Sequence, residues 1–136
     1  SDVYKRQTLT GQSHEALAAC DVTLIASGTA TLEAALFKAP MVIAYKQHWL
    51  SWQIMRRMGY QPWVGLPNIL AQDFLVPERL QDDASPEQLA QDVLDWLDHP
   101  NRMDAVRERF VEIHHTLRRD TARCASDAIA QVLEAR

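Results

Sequence analysis

The stretch "ACDVTLIASGTATLEAALFKAPMVIAY", Ala19 to Tyr45, constrains the fold more than any other. Val22 to Ser27 is a continuous aliphatic and β-branched run, the pattern of a strand buried on both faces of a parallel sheet. "TLEAALFKA" is helical by propensity and is followed by Pro40, which cannot continue a helix. "MVIAY", Met41 to Tyr45, reads as a second buried strand. Strand, turn, helix and strand at this spacing form a βαβ unit, which requires two parallel strands and a right-handed crossover.

The remaining segments dress this unit with helices. Ser13 to Cys20 reads as a short helix with Ser13 as N-cap, and His48 to Met58 as another, ended by Gly59. Pro62 to Asn68 reads as a short strand running into a loop, followed by an irregular stretch through Ala84. "SPEQLAQDVLDWLDH" has strong helix-start grammar, with Ser85 as N-cap and Pro86 at the first position. Met103, Val106, Phe110, Ile113 and Leu117 form one apolar stripe on the next helix, and Ala125, Ile129 and Val132 a second on Ala122 to Leu133. The fold class is therefore α/β, with a partial Rossmann-like parallel sheet and a helical C-terminal end.

The 136 residues carry a net charge of −4, which gives no electrostatic reason to expect nucleic acid. Cys20 and Cys124 lack metal-ligand spacing and read as two small core residues of a reduced, cytoplasmic chain. No apolar run reaches the length of a membrane span. Ser1 to Gln7 resembles a peptide read through from sequencing-adapter DNA. It is set aside as a non-native lead-in, leaving residues 8–136 as the domain.

In open parallel sheets, ligands bind outside the carboxyl ends of the strands. The turn Ser27, Gly28, Thr29, Ala30 lies at such an end and offers small side chains, hydroxyls and backbone N–H groups at a helix start, a natural site for a phosphate or diphosphate. No Walker lysine and no G-x-G-x-x-G accompany it, so neither a P-loop nor a dinucleotide fingerprint fits. Glu33 stands one turn inside the helix. A capping-box role fails because residue 30 is alanine. Two readings stay open for Glu33: a dipole-favoured acid on an exposed face, or a bidentate ligand for the vicinal hydroxyls of a ribose. Together the turn and the acid suit the two ends of a nucleoside diphosphate.

Three blocks in order, "ASGTATLEAALFKAPMVIAYK", "GLPNILA" and "LVPERLQ", resemble the lipid-A-disaccharide synthase family of GT-B glycosyltransferases. The resemblance runs from about Thr8 to the C-terminus. It implies the C-terminal, UDP-binding half of a GT-B fold, with Ser27, Gly28, Thr29 and Ala30 at the diphosphate and Glu33 at the ribose. Asn68 matches a polar position facing the cleft, and Glu78 and Gln81 match the next motif without an assignable role. The family transfers 2,3-diacylglucosamine from UDP-2,3-diacylglucosamine to lipid X and needs no cofactor or bound metal. The implied N-terminal domain, with the general base, lies outside this sequence, so no catalytic residue is assigned and the fragment alone is expected to be inactive. The last helix is expected to pack on that absent domain.

Other residues read more plainly. His114 and His115 are adjacent, point apart and suit a solvated face rather than a metal pair. Trp49, Trp52, Met55 and Met58 alternate with Lys46, Arg56 and Arg57. A core-packed helix is the favoured reading, and contact of Trp49 and Trp52 with an anionic membrane surface the other. Two further classes compete with the synthase reading: another UDP-sugar GT-B enzyme (a 2-epimerase or the peptidoglycan glycosyltransferase), and a non-enzymatic anion-binding α/β module.

Overall fold

The computed structural model describes residues 7–59 and 62–134, the side chains at 50, 55, 56 and 58 excepted. Residues 1–6 of the expected lead-in 1–7, and the side chains of the methionines at 55 and 58, therefore lie outside what is described. Three parallel strands, β1 (Thr23–Ala26), β2 (Met41–Tyr45) and β3 (Glu78–Leu80), form one sheet in the order β1-β2-β3. Ala26 lies opposite Ala44 and Tyr45 opposite Leu80, so all three carboxyl ends meet at one edge.

Seven helices accompany the sheet among the described residues: α1 (Ser13–Ala19), α2 (Thr29–Leu36), α3 (Trp49–Met58), α4 (Leu66–Ala71), α5 (Pro86–Asp98), α6 (Pro100–Leu117) and α7 (Thr121–Glu134). The core joins Met41, Val42 and Ile43 of β2 to Ala34 and Ala35 of α2, Trp96 of α5, and Met103, Val106, Phe110 and Ile113 of α6. The α6 stripe is buried as its spacing requires, except that Leu117 is 39% exposed. Trp96 Nε1 donates to the Met41 carbonyl at 3.1 Å, which seats α5 on the central strand and satisfies a buried donor. Ser85 Oγ accepts from the Gln88 N–H at 3.2 Å, the cap its sequence announced.

Several expectations need correction. The stretch 62–68 is no strand: Gly65 is the N-cap of α4 and Pro67 sits in its first turn, where a missing N–H costs nothing. The stretch read as irregular contains β3, whose charged residues are each paired. Helix α2 ends at Leu36, before Pro40 is reached. Lys38 takes a left-handed φ of 58°, its N–H bonds to Ala35 O, and the Ala39 N–H bonds to Ala34 O, forming a Schellman turn.

Burial also departs from the pattern. Leu24 is 52% exposed, because β1 is an edge strand with one face uncovered by the described elements. Trp49 is 66% exposed and no described side chain of α3 is buried, against the core-packed expectation. Cys20 is partly buried, but Cys124 is exposed: it lies on α7, none of whose residues is buried.

Candidate functional site

The carboxyl edge is built around the start of α2. The Ser27 N–H donates to Ala44 O at 3.0 Å, continuing the ladder one residue past β1 and fastening the turn to β2. Gly28 then adopts φ 136° and ψ −164°, a region essentially restricted to glycine, and serves as N-cap without any side-chain cap. Thr31 turns inward; its N–H and its Oγ1 both donate to Gly28 O, at 3.1 and 2.7 Å. The N–H groups of Gly28, Thr29 and Ala30 have no partner among the described residues, and all three residues are exposed. Three free N–H groups at the positive end of a helix dipole can hold an anion.

Glu33 lies on the open face of α2, opposite the buried Thr31, Ala34 and Ala35. Its side chain is 47% exposed, and its Oε2 stands 3.6 Å from Nε2 of His14. The carboxylate is thus available to a ligand bound along the edge, one turn from the free N–H groups. Both halves of the site predicted from the sequence are brought together: Ser27, Gly28, Thr29 and Ala30 at the turn, and Glu33 beside it.

Asn68, Glu78 and Gln81 are placed differently. Asn68 is fully buried; its amide donates to Val76 O and to Glu78 Oε1, and its Oδ1 accepts from the Val76 N–H. Glu78 accepts from the Val64 N–H, the Gly65 N–H and Asn68, each at 2.8 Å. This carboxylate satisfies the N–H groups of the chain entering α4, at its N-cap Gly65 and at Val64 before it. Gln81 brackets the backbone of Gln47, accepting from its N–H at 2.7 Å and donating to its carbonyl at 3.0 Å. It thereby holds the segment leaving β2 at the carboxyl edge. All three side chains act, in this structure, on the walls of the edge.

One residue near the site carried no sequence signal. His14, on an exposed helix, gives no periodic or motif cue that it reaches Glu33. Arg79 and Asp92 form a bidentate pair at 2.6 and 2.7 Å that joins β3 to α5. The hydrogen bond from Arg79 holds the Asp92 carboxyl below the usual carboxylate range against the opposing effect of burial. Among the described residues, no helix is long and apolar enough to cross a membrane.

A parallel sheet with helices packed on it, and a glycine-opened, uncapped helix start at its carboxyl edge, defines an α/β protein with a partial Rossmann-like fold. The family model described as lipid-A-disaccharide synthetase matches residues 3–131, and the chain belongs to that family. It is 64% identical over 132 residues to the lipid-A-disaccharide synthase of Albidiferax ferrireducens, covering 94% of this chain and 34% of the relative. The corresponding enzyme of Verminephrobacter eiseniae is 57% identical, with 93% and 34% covered, and that of Cupriavidus pinatubonensis 53%, with 93% and 31%. The chain thus spans about a third of the length of these relatives.

Proposed function

We propose that this chain is the donor-nucleotide-binding part of a glycosyltransferase of lipid A biosynthesis. In the complete protein, 2,3-diacylglucosamine passes from UDP-2,3-diacylglucosamine to lipid X, giving the disaccharide 1-phosphate and UDP. The observation that carries this reading is the free N–H triad of Gly28, Thr29 and Ala30 with Glu33 one turn further along α2. The triad receives the diphosphate beside the Ser27 turn and stabilises the charge that develops on the departing UDP, a preorganised electrostatic role that needs no metal. Glu33 accepts hydrogen bonds from the ribose hydroxyls. Asn68, Glu78 and Gln81 keep the walls of the nucleotide cleft in place. The general base and the acceptor site belong to a further domain outside these residues, so the chain by itself is inactive.

Both proposed sugar substrates are acylated, which favours work at the inner face of the inner membrane. Exposed Trp49 supports contact there, as does a stretch from Glu33 to Asp73 that contains Lys38, Lys46, Arg56 and Arg57 and no further acid. Loss of sedimentation with anionic vesicles on Trp49→Ser is the expected result, and unchanged sedimentation would remove this contact from the proposal.

Calorimetric titration of the full-length protein with UDP tests the main reading. Glu33→Ala is expected to weaken binding by about 1.5–3 kcal/mol, the range for a hydrogen bond to a charged group. Equal affinity for UDP and inorganic pyrophosphate, with indifference to Glu33→Ala, would instead mark a plain anion-binding module. A preference for a different UDP-sugar would point to one of the related enzymes of the same architecture.

A further inference from the structure

We infer that His14 is a positioning residue: it sets the plane of the Glu33 carboxylate and so strengthens the preference for ribose over 2′-deoxyribose. The inference rests on the nucleotide-binding reading above and deepens it.

Glu33 and Phe37 lie four residues apart on α2 and therefore on one face. His14, from α1, touches both. Its Nε2 stands 3.6 Å from Glu33 Oε2, and its ring centroid lies 5.3 Å from that of Phe37 at an interplanar angle of 38°. An exposed ion pair alone leaves two long side chains free to wander. Here the ring leans, tilted, against Phe37 while its Nε2 side approaches the acid, so two neighbours restrict the direction of the imidazole. Leu17 and Cys20, further along the same segment, pack against the core and anchor the segment that carries His14.

Vicinal hydroxyls bind well only when both carboxylate oxygens face them. A half-exposed glutamate must otherwise lose side-chain freedom at the moment of binding. At 3.6 Å the imidazole stands beside the carboxylate without taking an acceptor position, so all of about four remain for two hydroxyls. The N–H triad at Gly28, Thr29 and Ala30 does not involve His14, so the diphosphate end is independent of it. Removing the imidazole should therefore loosen the sugar end of the ligand and spare the phosphate end.

The test is calorimetry on the full-length protein with three probes: UDP, 2′-deoxy-UDP and inorganic pyrophosphate. His14→Ala, His14→Gln and Glu33→Ala are compared with the parent. His14→Ala is expected to reduce the preference for UDP over 2′-deoxy-UDP by about three- to tenfold with pyrophosphate affinity unchanged, the cost of ordering the freed Glu33 side chain on binding. His14→Gln, which keeps an N–H within reach of the carboxylate, should recover part of the preference, and Glu33→Ala should abolish it. If His14→Ala retains the parental preference while Glu33→Ala loses it, His14 has no positioning role and the nucleotide reading stands. Equal weakening of UDP and pyrophosphate by His14→Ala would mean a merely structural residue and would also overturn the inference. Glu33→Ala with the parental preference would remove the ribose reading itself.

Discussion

The carboxamide of Asn68 and the carboxylate of Glu78 are joined at 2.8 Å, at the centre of a bracket that ties β3 to the start of α4. Glu78 pairs in register with Ile43 on the central strand, and α4 packs against α2, so the bracket supports the helix that carries the candidate site. Glu78→Ala would strand three donors: the N–H groups of Val64 and Gly65 and one N–H of buried Asn68. A stability loss of about 2–4 kcal/mol in urea unfolding is expected, because each stranded donor costs its desolvation. A loss well under 1 kcal/mol would show that solvent replaces the carboxylate.

Gly65, the N-cap of α4, faces the same bracket. A Cβ there would collide with Ile43 Cδ1 and stand 3.0 Å from Glu78 Oε1. Ile43 is fully buried in the middle strand, so its Cδ1 would have to shift within a packed core. Gly65→Ala should therefore destabilise by about 1–3 kcal/mol through overpacking, read as a lowered midpoint at unchanged m-value.

Gly28→Ala tests the opposite situation. Among the described residues other than its chain neighbours, no atom lies within 4 Å of an added Cβ, so the cost is conformational, set by φ 136°. A destabilisation of about 1–3 kcal/mol is expected from backbone strain. Relaxation of the turn would also misdirect the N–H triad, so pyrophosphate affinity should fall as well. A variant of parental stability and affinity would mean that the turn is remade without loss.

The pair Arg79 and Asp92 makes stability pH-dependent at the acid end. The folded-state pKa of Asp92 is lowered, first by its hydrogen bond to Arg79, so the unfolded chain binds the proton more readily. The stabilisation is complete above the unfolded value of about 3.9 and is lost as pH falls through the lower folded value. Arg79→Ala should cost about 2 kcal/mol at neutral pH and flatten this acid limb in a series of unfolding curves. An unaltered acid limb would assign it to other carboxylates.

Legibility from the sequence followed the range of the forces involved. The βαβ unit and the Ser85 cap are local, and the residues that make them are neighbours in the chain. The strand β3 is not local: "ERL" carries two charges in three residues, and it pairs with β2 only because Asp92 and the start of α4 take those charges up. Pro62 to Asn68 read as a strand running into a loop because a proline tolerated in a first helical turn, as Pro67 is, looks the same in sequence as one in a loop. At the candidate site, Gly28 and Glu33 were legible because one turn and one helix place both. Glu78 and Asn68 could be located but not oriented, since which of them faces the other depends on how β3 meets α4. Cys124 and the Ile129 stripe follow helical spacing faithfully, yet spacing does not say what a helix packs against.

Lys38 both closes α2 and faces His114, so one substitution there has two separable effects. Its φ of 58° is a left-handed conformation that a side chain disfavours by about 1–2 kcal/mol and glycine does not. Lys38→Gly should therefore stabilise the Schellman turn that closes α2 by about 1 kcal/mol, once the greater freedom of glycine in the unfolded chain is subtracted. The same change removes the ammonium that lies 2.7 Å from His114 Nδ1. That charge is the largest of the influences holding the His114 pKa below its ordinary value, ahead of desolvation, His115 and Arg118. In the parent, the unfolded chain takes up the His114 proton more readily than the folded one. Stability consequently rises with pH between the lowered folded value and the ordinary imidazole value, and the full penalty is present below both. In Lys38→Gly, the imidazole titration followed by NMR should move upward and this slope should shrink. An unmoved His114 titration would show that Lys38 does not control it, whatever the change in stability.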